Sequence, residues 1–397
     1  MAFYQRDIKK QIEEFKKYPV IAFIGPRQSG KTTLTKSLFS DYVFLDLDDL
    51  ELRAFALSDP KSFFRTYQDA PGIIIDEFQN APELLSYIKV IVDAHDRPGY
   101  FILTGSQNFL VNQEITQSLA GRVGIIELLP LSLHELKNNN LLPENAGPEV
   151  PIFNGSYPRL YNQEFTPLQF YPSYIHTYVE RDVRQLVNIK DVTLFQKFMK
   201  LCAARIGQLL NLTDLATACG ISVATVQAWL SILETSYIIF QLHPHWTNFN
   251  KRMTKSTKLY FYDTGLACSL LELSSPQAVL INHYYGNLFE NFIIADFYKQ
   301  AFNAGLSNSF YFWRDQNGTL EVDCLIEHNA QLIPLEIKSS ETFNEHFFDG
   351  LKKWCNLDPN NRSTLYVVYA GTLNSTDNQQ SLVSWQQSVE LIKKIKN

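Results

Sequence analysis

Residues 20–33 read Val-Ile-Ala-Phe-Ile-Gly-Pro-Arg-Gln-Ser-Gly-Lys-Thr-Thr, an apolar run followed by a glycine-rich loop. The spacing G-x-x-x-x-G-K-T, placed between a predicted strand and a predicted helix over 34–39, is typical of a loop that holds nucleotide phosphates. Gly25 and Gly30 let the backbone turn so that several N–H groups face one point, to which the next helix directs its positive end. The stretch therefore predicts an α/β domain with a phosphate-binding site after its first strand.

The charged and hydroxyl residues that end this loop predict its ligand. Lys31 supplies a full positive charge for the β- and γ-phosphates, and Thr32 offers a hydroxyl to Mg²⁺. ATP with Mg²⁺ is therefore the expected ligand. The predicted nucleotide-binding residues are Gly25, Pro26, Arg27, Gln28, Ser29, Gly30, Lys31, Thr32 and Thr33.

Composition limits the class and the compartment of the protein. The chain has 397 residues, 45% hydrophobic and 19% charged, which indicates an ordinary globular protein of two or three domains. Its net charge of −6 means that a nucleic-acid partner requires a local basic patch. The five cysteines fit no C-x-x-C pattern, which favours reduced thiols in the cytoplasm over a zinc site or disulfides. The first 18 residues are polar and charged, and no apolar run is long enough to span a bilayer, so neither a signal peptide nor a membrane segment is expected.

A second acidic motif follows at residues 72–77, Gly-Ile-Ile-Ile-Asp-Glu. Its continuous β-branched run predicts a buried parallel strand that ends in two carboxylates. Asp76 is expected to hold Mg²⁺ through water, and Glu77 to take a proton from the attacking water. The alternative is that the two acids merely open a helix.

Four further candidates come from the next predicted strand, over 100–107, and from the segment after it. Thr104, Ser106 and Gln107 lie at the polar end of that strand and are candidates for sensing the γ-phosphate. Arg122, after a predicted helix over 113–120, admits two interpretations: an arginine finger that reaches the phosphate of a neighbouring subunit, or a surface arginine behind a helix cap.

These motifs resemble a prokaryotic branch of the AAA+ ATPases in which the ATPase is fused to a C-terminal domain of unknown function. The resemblance implies an ATP-hydrolysing machine that works as a homo-oligomer, and it implies little about the biological role. The segments that carry it are Gly25–Thr32, Ile75–Glu77, Leu103–Ser106, Ser118–Arg122, Pro130–Leu136, Gly155–Pro158 and Tyr178–Val183.

The middle of the chain predicts a winged helix. Thr213 is expected to cap a first helix, Gly220 to make the turn and Ser222 to cap a second helix, with a wing strand over 238–242. The exposed face of the second helix carries no basic residue, but the segment Lys251–Lys258 carries four positive charges and no acid. DNA binding through this segment is one interpretation, and a packing or oligomerisation module is the other.

The last part of the chain predicts a hairpin that carries two carboxylates and a lysine on one face. Asp323 lies on one strand, and Glu336 and Lys338 lie two residues apart on the next. This arrangement resembles the restriction-endonuclease-like core over 286–370, in which Asp323 and Glu336 would hold Mg²⁺, Lys338 would orient water, and Glu290 would complete the site from a helix. The alternative is an ion pair on an exposed strand. Even a nuclease-like fold would not by itself predict nuclease activity, because a fold does not prove an activity.

The predicted fold class is α/β: an AAA+ parallel sheet domain over 1–130, a helical connector over 131–195, a winged helix over 196–245 and a mixed α/β nuclease-like domain over 246–397. The predicted function is Mg²⁺-dependent ATP hydrolysis that couples nucleotide state to the DNA-interacting and nuclease-like parts. The alternative is a non-catalytic nucleotide-gated switch, or an assembly ATPase, whose C-terminal domain binds protein.

Overall fold

The computed structural model describes residues 4–95, 97–105, 115, 117–162, 165–178, 191–245, 256–306, 309–357, 363–377 and 379–396. Two β-sheets are formed there. The N-terminal sheet is made by strands between residues 20 and 127, and the C-terminal sheet by strands between residues 239 and 384.

The N-terminal sheet contains, within the described residues, five parallel strands in the order β2-β3-β4-β1-β5. The strands are β1 (Val20–Ile24), β2 (Val43–Asp46), β3 (Ile73–Asp76), β4 (Phe101–Gly105) and β5 (Val123–Glu127). Every residue of β1, β3 and β4 is buried, as expected for a parallel sheet that is covered on both faces. The predicted parallel α/β domain is confirmed.

Helices cover the two faces of this sheet. They are α1 (Lys9–Phe15), α2 (Lys31–Leu38), α3 (Leu50–Ser58), α4 (Pro60–Thr66) and α5 (Leu84–Ala94), and a 3₁₀ turn spans Phe78–Asn80. Successive side chains of a strand point to opposite faces, so alternate residues of β1 join different clusters. Ala22 packs on the side of α4 and α5, whereas Ile21 and Phe23 pack on the side of α1 and α2.

Helices make up the regular secondary structure in the described part of the predicted connector over 131–195, and the last of them continues past residue 195. Its described helices are α6 (Leu133–Asn138), α7 (Glu149–Asn154), α8 (Pro158–Asn162), α9 (Pro167–Tyr178) and α10 (Val192–Ala203). The motif over 178–183 lies, apart from Tyr178, outside the described residues.

The predicted pair of helices around Gly220 is present as α11 (Leu212–Cys219) and α12 (Val223–Thr235). Gly220 adopts a left-handed conformation with φ of 78°, and Ser222 caps α12 by accepting from the backbone N–H of Thr225. The cap of α11 is Asn211 rather than Thr213, because the Asn211 carboxamide oxygen accepts from the backbone N–H groups of Thr213 and Asp214.

The C-terminal sheet has, in the described part of the chain, the strand order β12-β13-β11-β10-β9-β8-β6-β7. Its strands are β6 (Ile239–Pro244), β7 (Lys258–Phe261), β8 (Phe310–Arg314), β9 (Glu321–His328), β10 (Gln331–Lys338), β11 (Leu365–Tyr369), β12 (Ser375–Asp377) and β13 (Gln380–Ser384). The predicted hairpin turn at residues 329–330 is present, with both residues at positive φ between antiparallel β9 and β10.

The strand predicted as a wing is β6, and it belongs to the C-terminal sheet. It pairs in parallel with β8 and in antiparallel orientation with β7. Its apolar residues are buried, and the ring of Phe240 lies 4.3 Å from the ring of Tyr298 on the long helix α15 (Tyr285–Asn303). The predicted boundary between residues 245 and 246 therefore falls inside one hydrogen-bonded sheet, which is a correction to the sequence-based division.

One hydrophobic cluster unites the connector, the helix pair and much of the C-terminal sheet, since it runs from Leu129 to Ile395. The other C-terminal helices are α13 (Thr264–Leu270), α14 (Pro276–Leu280), α16 (Asp349–Cys355) and α17 (Leu391–Lys396), with 3₁₀ turns at Glu345–Phe348 and Trp385–Glu390. No single helix in the described residues is long and apolar enough to cross a membrane, although α11 and α12, bent by 100° relative to each other, meet the criteria of length and composition together.

Candidate functional site

The glycine-rich loop joins β1 to α2 at the carboxyl edge of the N-terminal sheet. Gly25 has φ of 145° and Gly30 has φ of 95°, a region that side chains rarely adopt. A Cβ on Gly25 would lie 2.3 Å from the carbonyl oxygen of Leu128, so this position accepts only glycine without movement of the loop. The conformation of the loop is thus set both by the close approach of Gly25 to the backbone of Leu128 and by backbone torsion angles that favour glycine.

Lys31 is folded back beneath the loop. Its ammonium donates to the carbonyl oxygens of Gly25 at 3.0 Å and Pro26 at 2.8 Å, and the residue is only 7% exposed. Ser29 is fully buried, and its hydroxyl is among the described buried polar atoms that have no hydrogen-bond partner. A buried ammonium and an unpartnered buried hydroxyl in one glycine-lined loop fit a phosphate-bearing ligand.

Asp76 lies at the end of β3, next to this loop. The Thr32 hydroxyl donates to both carboxylate oxygens, at 3.1 and 2.9 Å, and the Thr104 hydroxyl donates to one of them. Burial raises the pKa of Asp76 above its ordinary value; the two hydroxyls oppose this effect, and Glu77 and Asp46 add to it. Hydroxyl and carboxylate oxygens are the ligands that Mg²⁺ prefers, so Thr32 and Asp76 fit a magnesium ion.

Glu77 follows directly, with an unusual backbone. Its φ is 51°, a left-handed value that is uncommon outside glycine, and the Gln79 carboxamide donates to its carboxylate. Strain of this kind often marks a functional position. Of the three γ-phosphate candidates, Thr104 contacts Asp76, while Ser106 and Gln107 lie outside the described residues.

Arg122 lies at the opposite edge of the sheet. It precedes β5, which runs parallel to β1, and its carbonyl accepts from the N–H of Val20 at the start of β1. Its guanidinium pairs with Asp93 of α5, with Nη2 3.1 Å from Oδ2. Within one chain, Arg122 is therefore held away from the phosphate loop and partly exposed.

A second cluster lies on the C-terminal sheet and includes the four residues that the sequence singled out there. The Asp323 carboxylate accepts from the N–H of Ile337 at 2.8 Å, and the Lys338 ammonium lies 2.5 Å from the Glu336 carboxylate. Burial, together with Asp323, raises the pKa of Glu336, and burial raises that of Glu290 on α15. Asp323, Glu336 and Lys338 therefore lie close together on the hairpin of β9 and β10.

Lys258 is the member of this cluster whose role the sequence did not reveal. It is 4% exposed, and its ammonium lies 3.0 Å from the Glu290 carboxylate, 2.5 Å from that of Glu321 and 4.0 Å from that of Asp323. These carboxylates outweigh the effect of burial and raise the pKa of Lys258. Lys258 is therefore not an exposed phosphate contact, which corrects its assignment to the basic segment; residues 251–255 of that segment lie outside the described ones.

The metal site predicted at Asp323 and Glu336 is not matched by a cluster of ligands in the described part of the chain. Among the described residues, no group of three or more His, Cys, Asp or Glu side chains is arranged to hold a metal ion. The Lys258 ammonium supplies positive charge to Glu290, Glu321 and Asp323, and the Lys338 ammonium supplies it to Glu336. A sequence signal for this role is the lysine on β7, a strand whose other residues are apolar or aromatic. Its carboxylate neighbours, however, come from α15 and β9, which lie far along the chain.

Comparison with known families agrees with the geometry of the phosphate loop. Residues 17–137 match a family described as an AAA domain. The chain carries an AAA-type phosphate-loop domain. Residues 151–277 and 285–387 match two domains of unknown function, DUF8612 and DUF4143, so the winged helix and the restriction-endonuclease-like fold stay predictions.

Individual relatives and solved structures are distant. The chain is 29% identical to the uncharacterized protein Rv2008c of Mycobacterium tuberculosis over 82% of its own length and 71% of the relative. It is 24% identical to the uncharacterized protein MJ1544 of Methanocaldococcus jannaschii, over 83% and 77% of the two chains. It is also similar to the Walker-type ATPase of Pyrococcus abyssi (TM-score 0.43, 14% identity, 66% of this chain and 94% of that one) and to RuvB of Thermotoga maritima (TM-score 0.32, 18% identity, 59% and 88%). Because these TM-scores are low, the AAA-type assignment depends on the family match and the loop geometry.

Proposed function

We propose that this protein binds and hydrolyses ATP in a Mg²⁺-dependent reaction at the phosphate loop. The observation that carries the proposal is the contact of the Thr32 hydroxyl with both oxygens of Asp76, beside the buried ammonium of Lys31. A hydroxyl, a carboxylate and a cation converge there on the carboxyl edge of a parallel sheet, which is where such sheets bind their ligands.

Each residue is assigned one role in this proposal. The loop N–H groups and Lys31 neutralise phosphate charge, and Thr32 and Asp76 hold the metal. Mg²⁺, when bound, would withdraw charge from the phosphate oxygens. Glu77 accepts the proton of the attacking water, and Thr104, Ser106 or Gln107 senses the γ-phosphate.

Hydrolysis by Glu77→Gln tests the assigned base. The variant keeps the size of the side chain and loses the proton acceptor, so ATP binding should persist while turnover falls about 100-fold or more. Glu83→Gln, an exposed glutamate just before α5, is the matched control and should retain turnover. Normal turnover in Glu77→Gln would refute the assigned base, and failure of the wild type to bind ATP would refute the proposal.

Nucleotide state is proposed to affect the C-terminal part of the protein because one hydrophobic cluster connects that part to the N-terminal domain. The hydrophobic cluster that begins at Leu129, next to β5, continues to the end of the chain. A homo-oligomer that engages DNA through the basic residues at 251–255 and the predicted winged helix should show DNA-stimulated ATP hydrolysis and a mass that rises with a slowly hydrolysed ATP analogue. ATP hydrolysis that ignores DNA would favour the nucleotide-gated switch, or the assembly ATPase, that binds protein. The cytoplasmic location stays a prediction.

Metal-dependent nucleic-acid cleavage at the C-terminal cluster is the second candidate function. One specific observation favours it: Glu336 Oε2 is a buried oxygen without a hydrogen-bond partner among the described residues, and Asp323 is close enough to raise its pKa. Lys258 competes with a metal ion for the neighbouring carboxylates. Divalent-dependent cleavage should be abolished by Asp323→Ala and by Lys338→Ala, and cleavage that survives both changes would exclude this site.

A further inference from the structure

Arg6, which precedes the first helix, is hydrogen-bonded to the backbone of the phosphate loop. It is 6% exposed, and its guanidinium donates to three acceptors: the carbonyl oxygen of Ser29 at 2.9 Å, the carbonyl oxygen of Leu129 at 2.6 Å and the Glu135 carboxylate at 2.9 Å. Ser29 is the residue before Gly30 in the loop. The planar fork of arginine suits three acceptors in fixed directions, which a lysine ammonium cannot match.

The contact to Ser29 fixes the direction of a loop N–H group. A trans peptide directs its C=O and its N–H to opposite sides, so a hydrogen bond on the Ser29 carbonyl determines where the Gly30 N–H points. Gly30 has no side chain and a φ of 95°, and a rotation of this peptide would otherwise be easy. The Arg6 guanidinium thereby restricts the orientation of the Gly30 N–H in the loop.

The same arginine is tied to the long helix of the C-terminal part. Its partner Glu135 forms a capping box with Ser132 at the start of α6, and the next N–H, that of Leu133, donates to the Asp296 carboxylate of α15 at 2.6 Å. Asp296 is 3% exposed, and α15 lies more than 100 residues further along the chain. The link is therefore short in space and buried throughout.

A second arm leads from Gly30 through Pro158 and Ser156 to α15. Pro158 Cγ lies 3.8 Å from the position of a Cβ on Gly30, and Ser156, two residues earlier, accepts from the buried ammonium of Lys299 at 2.7 Å. Asp296 and Lys299 are three residues apart on α15, so both arms end on one helical turn. Glu290, which contacts Lys258, lies six residues before Asp296 on the same helix.

We infer that Arg6 is a positioning residue of the nucleotide site and that α15, through Asp296, controls the contact between Arg6 and the loop. This inference rests on the proposed ATP binding and deepens it, because it names the C-terminal element to which nucleotide affinity responds. The links are discrete hydrogen bonds between buried groups, so each can be removed by a single substitution.

Arg6→Lys is the first test, with binding of a fluorescent ATP analogue as the measurement. The lysine keeps the positive charge opposite Glu135 but loses the hydrogen bonds to the carbonyl oxygens of Ser29 and Leu129. The dissociation constant of the ATP analogue should therefore rise about tenfold. Lys137→Met is the matched control, since Lys137 lies on α6 two residues after Glu135 and donates to the carbonyl of Gln386 instead of the loop partner. Thermal unfolding without nucleotide separates a loss of folded protein from a loss of affinity.

The outcomes distinguish this inference from the proposed function. Wild type that does not bind the analogue would overturn the proposed function itself. Wild type that binds, with Arg6→Lys binding equally well, would overturn only the inference. An equal loss in Lys137→Met and Arg6→Lys would also overturn it, because contacts near α6 in general would then matter.

The link to α15 is tested without changing Arg6. Asp296→Ala removes the acceptor of the Leu133 N–H and should weaken nucleotide binding, whereas Asp296→Asn keeps an acceptor oxygen and should bind as the wild type does. In the double variant with Arg6→Lys the two losses should not add, since they act through one chain of contacts. Additive losses, or none in Asp296→Ala, would overturn the role of α15.

Discussion

Replacement of Asp76 by asparagine should have opposite effects on the free protein and on its complex with Mg²⁺ and ATP. The carboxylate is 5% exposed, and its pKa is raised, mainly by burial. A raised folded-state pKa means that the stability contributed by this group is present below the unfolded value, about pH 4, and is lost as pH rises through the folded value. At neutral pH the ionised group therefore costs stability in the free protein.

Asparagine removes this cost and keeps one acceptor oxygen for the hydroxyls of Thr32 and Thr104. The free Asp76→Asn protein should therefore be at least as stable as the wild type at pH 7, with the difference vanishing near pH 4. The metal, however, loses its carboxylate. At a concentration of Mg²⁺ and ATP about 100 times the dissociation constant, the wild type should gain about 2.7 kcal/mol, or roughly 5–10 °C in Tm, and the variant less than about 1 kcal/mol.

Thermal unfolding with and without Mg²⁺ and ATP measures both effects. Asp46→Asn is the matched control, because Asp46 pairs in register with Asp76 on the adjacent strand and accepts from a backbone N–H of its own loop rather than from Thr32. It should keep the full ligand-dependent shift. An undiminished shift in Asp76→Asn would refute the assignment of the metal ligand, and a large loss of stability in the free variant would refute the electrostatic reasoning.

Two further changes test the two clusters separately. Gly25→Ala should abolish binding of the ATP analogue and destabilise the protein by roughly 1–3 kcal/mol, because the new Cβ would lie 2.3 Å from the Leu128 carbonyl; Gly121→Ala, whose Cβ meets no atom within 4 Å, should keep binding. Lys258→Met should cost about 3–5 kcal/mol in denaturant unfolding, since it leaves buried carboxylates without their cation, whereas Lys200→Met, on the surface, should change stability by less than about 1 kcal/mol. A Lys258→Met protein as stable as the wild type would contradict the assigned charge balance.

Local features were predictable from the sequence because their causes are local. The spacing of Gly25, Gly30 and Lys31 acts within one loop, and the apolar run before each motif is long enough to predict β1, β3 and β4. The hairpin of β9 and β10 was predicted for the same reason, since its turn and its alternating faces are short-range properties. Even there, the choice between Asn211 and Thr213 as a helix cap was missed, because neighbouring residues compete for the same N–H groups.

The sequence by itself therefore determined the phosphate loop, the acidic strand end and the order of the parallel α/β elements. Only the tertiary structure decided that β6 joins the C-terminal sheet, that Lys258 lies among carboxylates, and that Arg6 reaches both Ser29 and Glu135. These contacts join residues far apart in the chain, and a strand edge or a buried charge accepts whichever partner the packed core brings to it. No local pattern records that choice, because it is made by the burial of the whole chain.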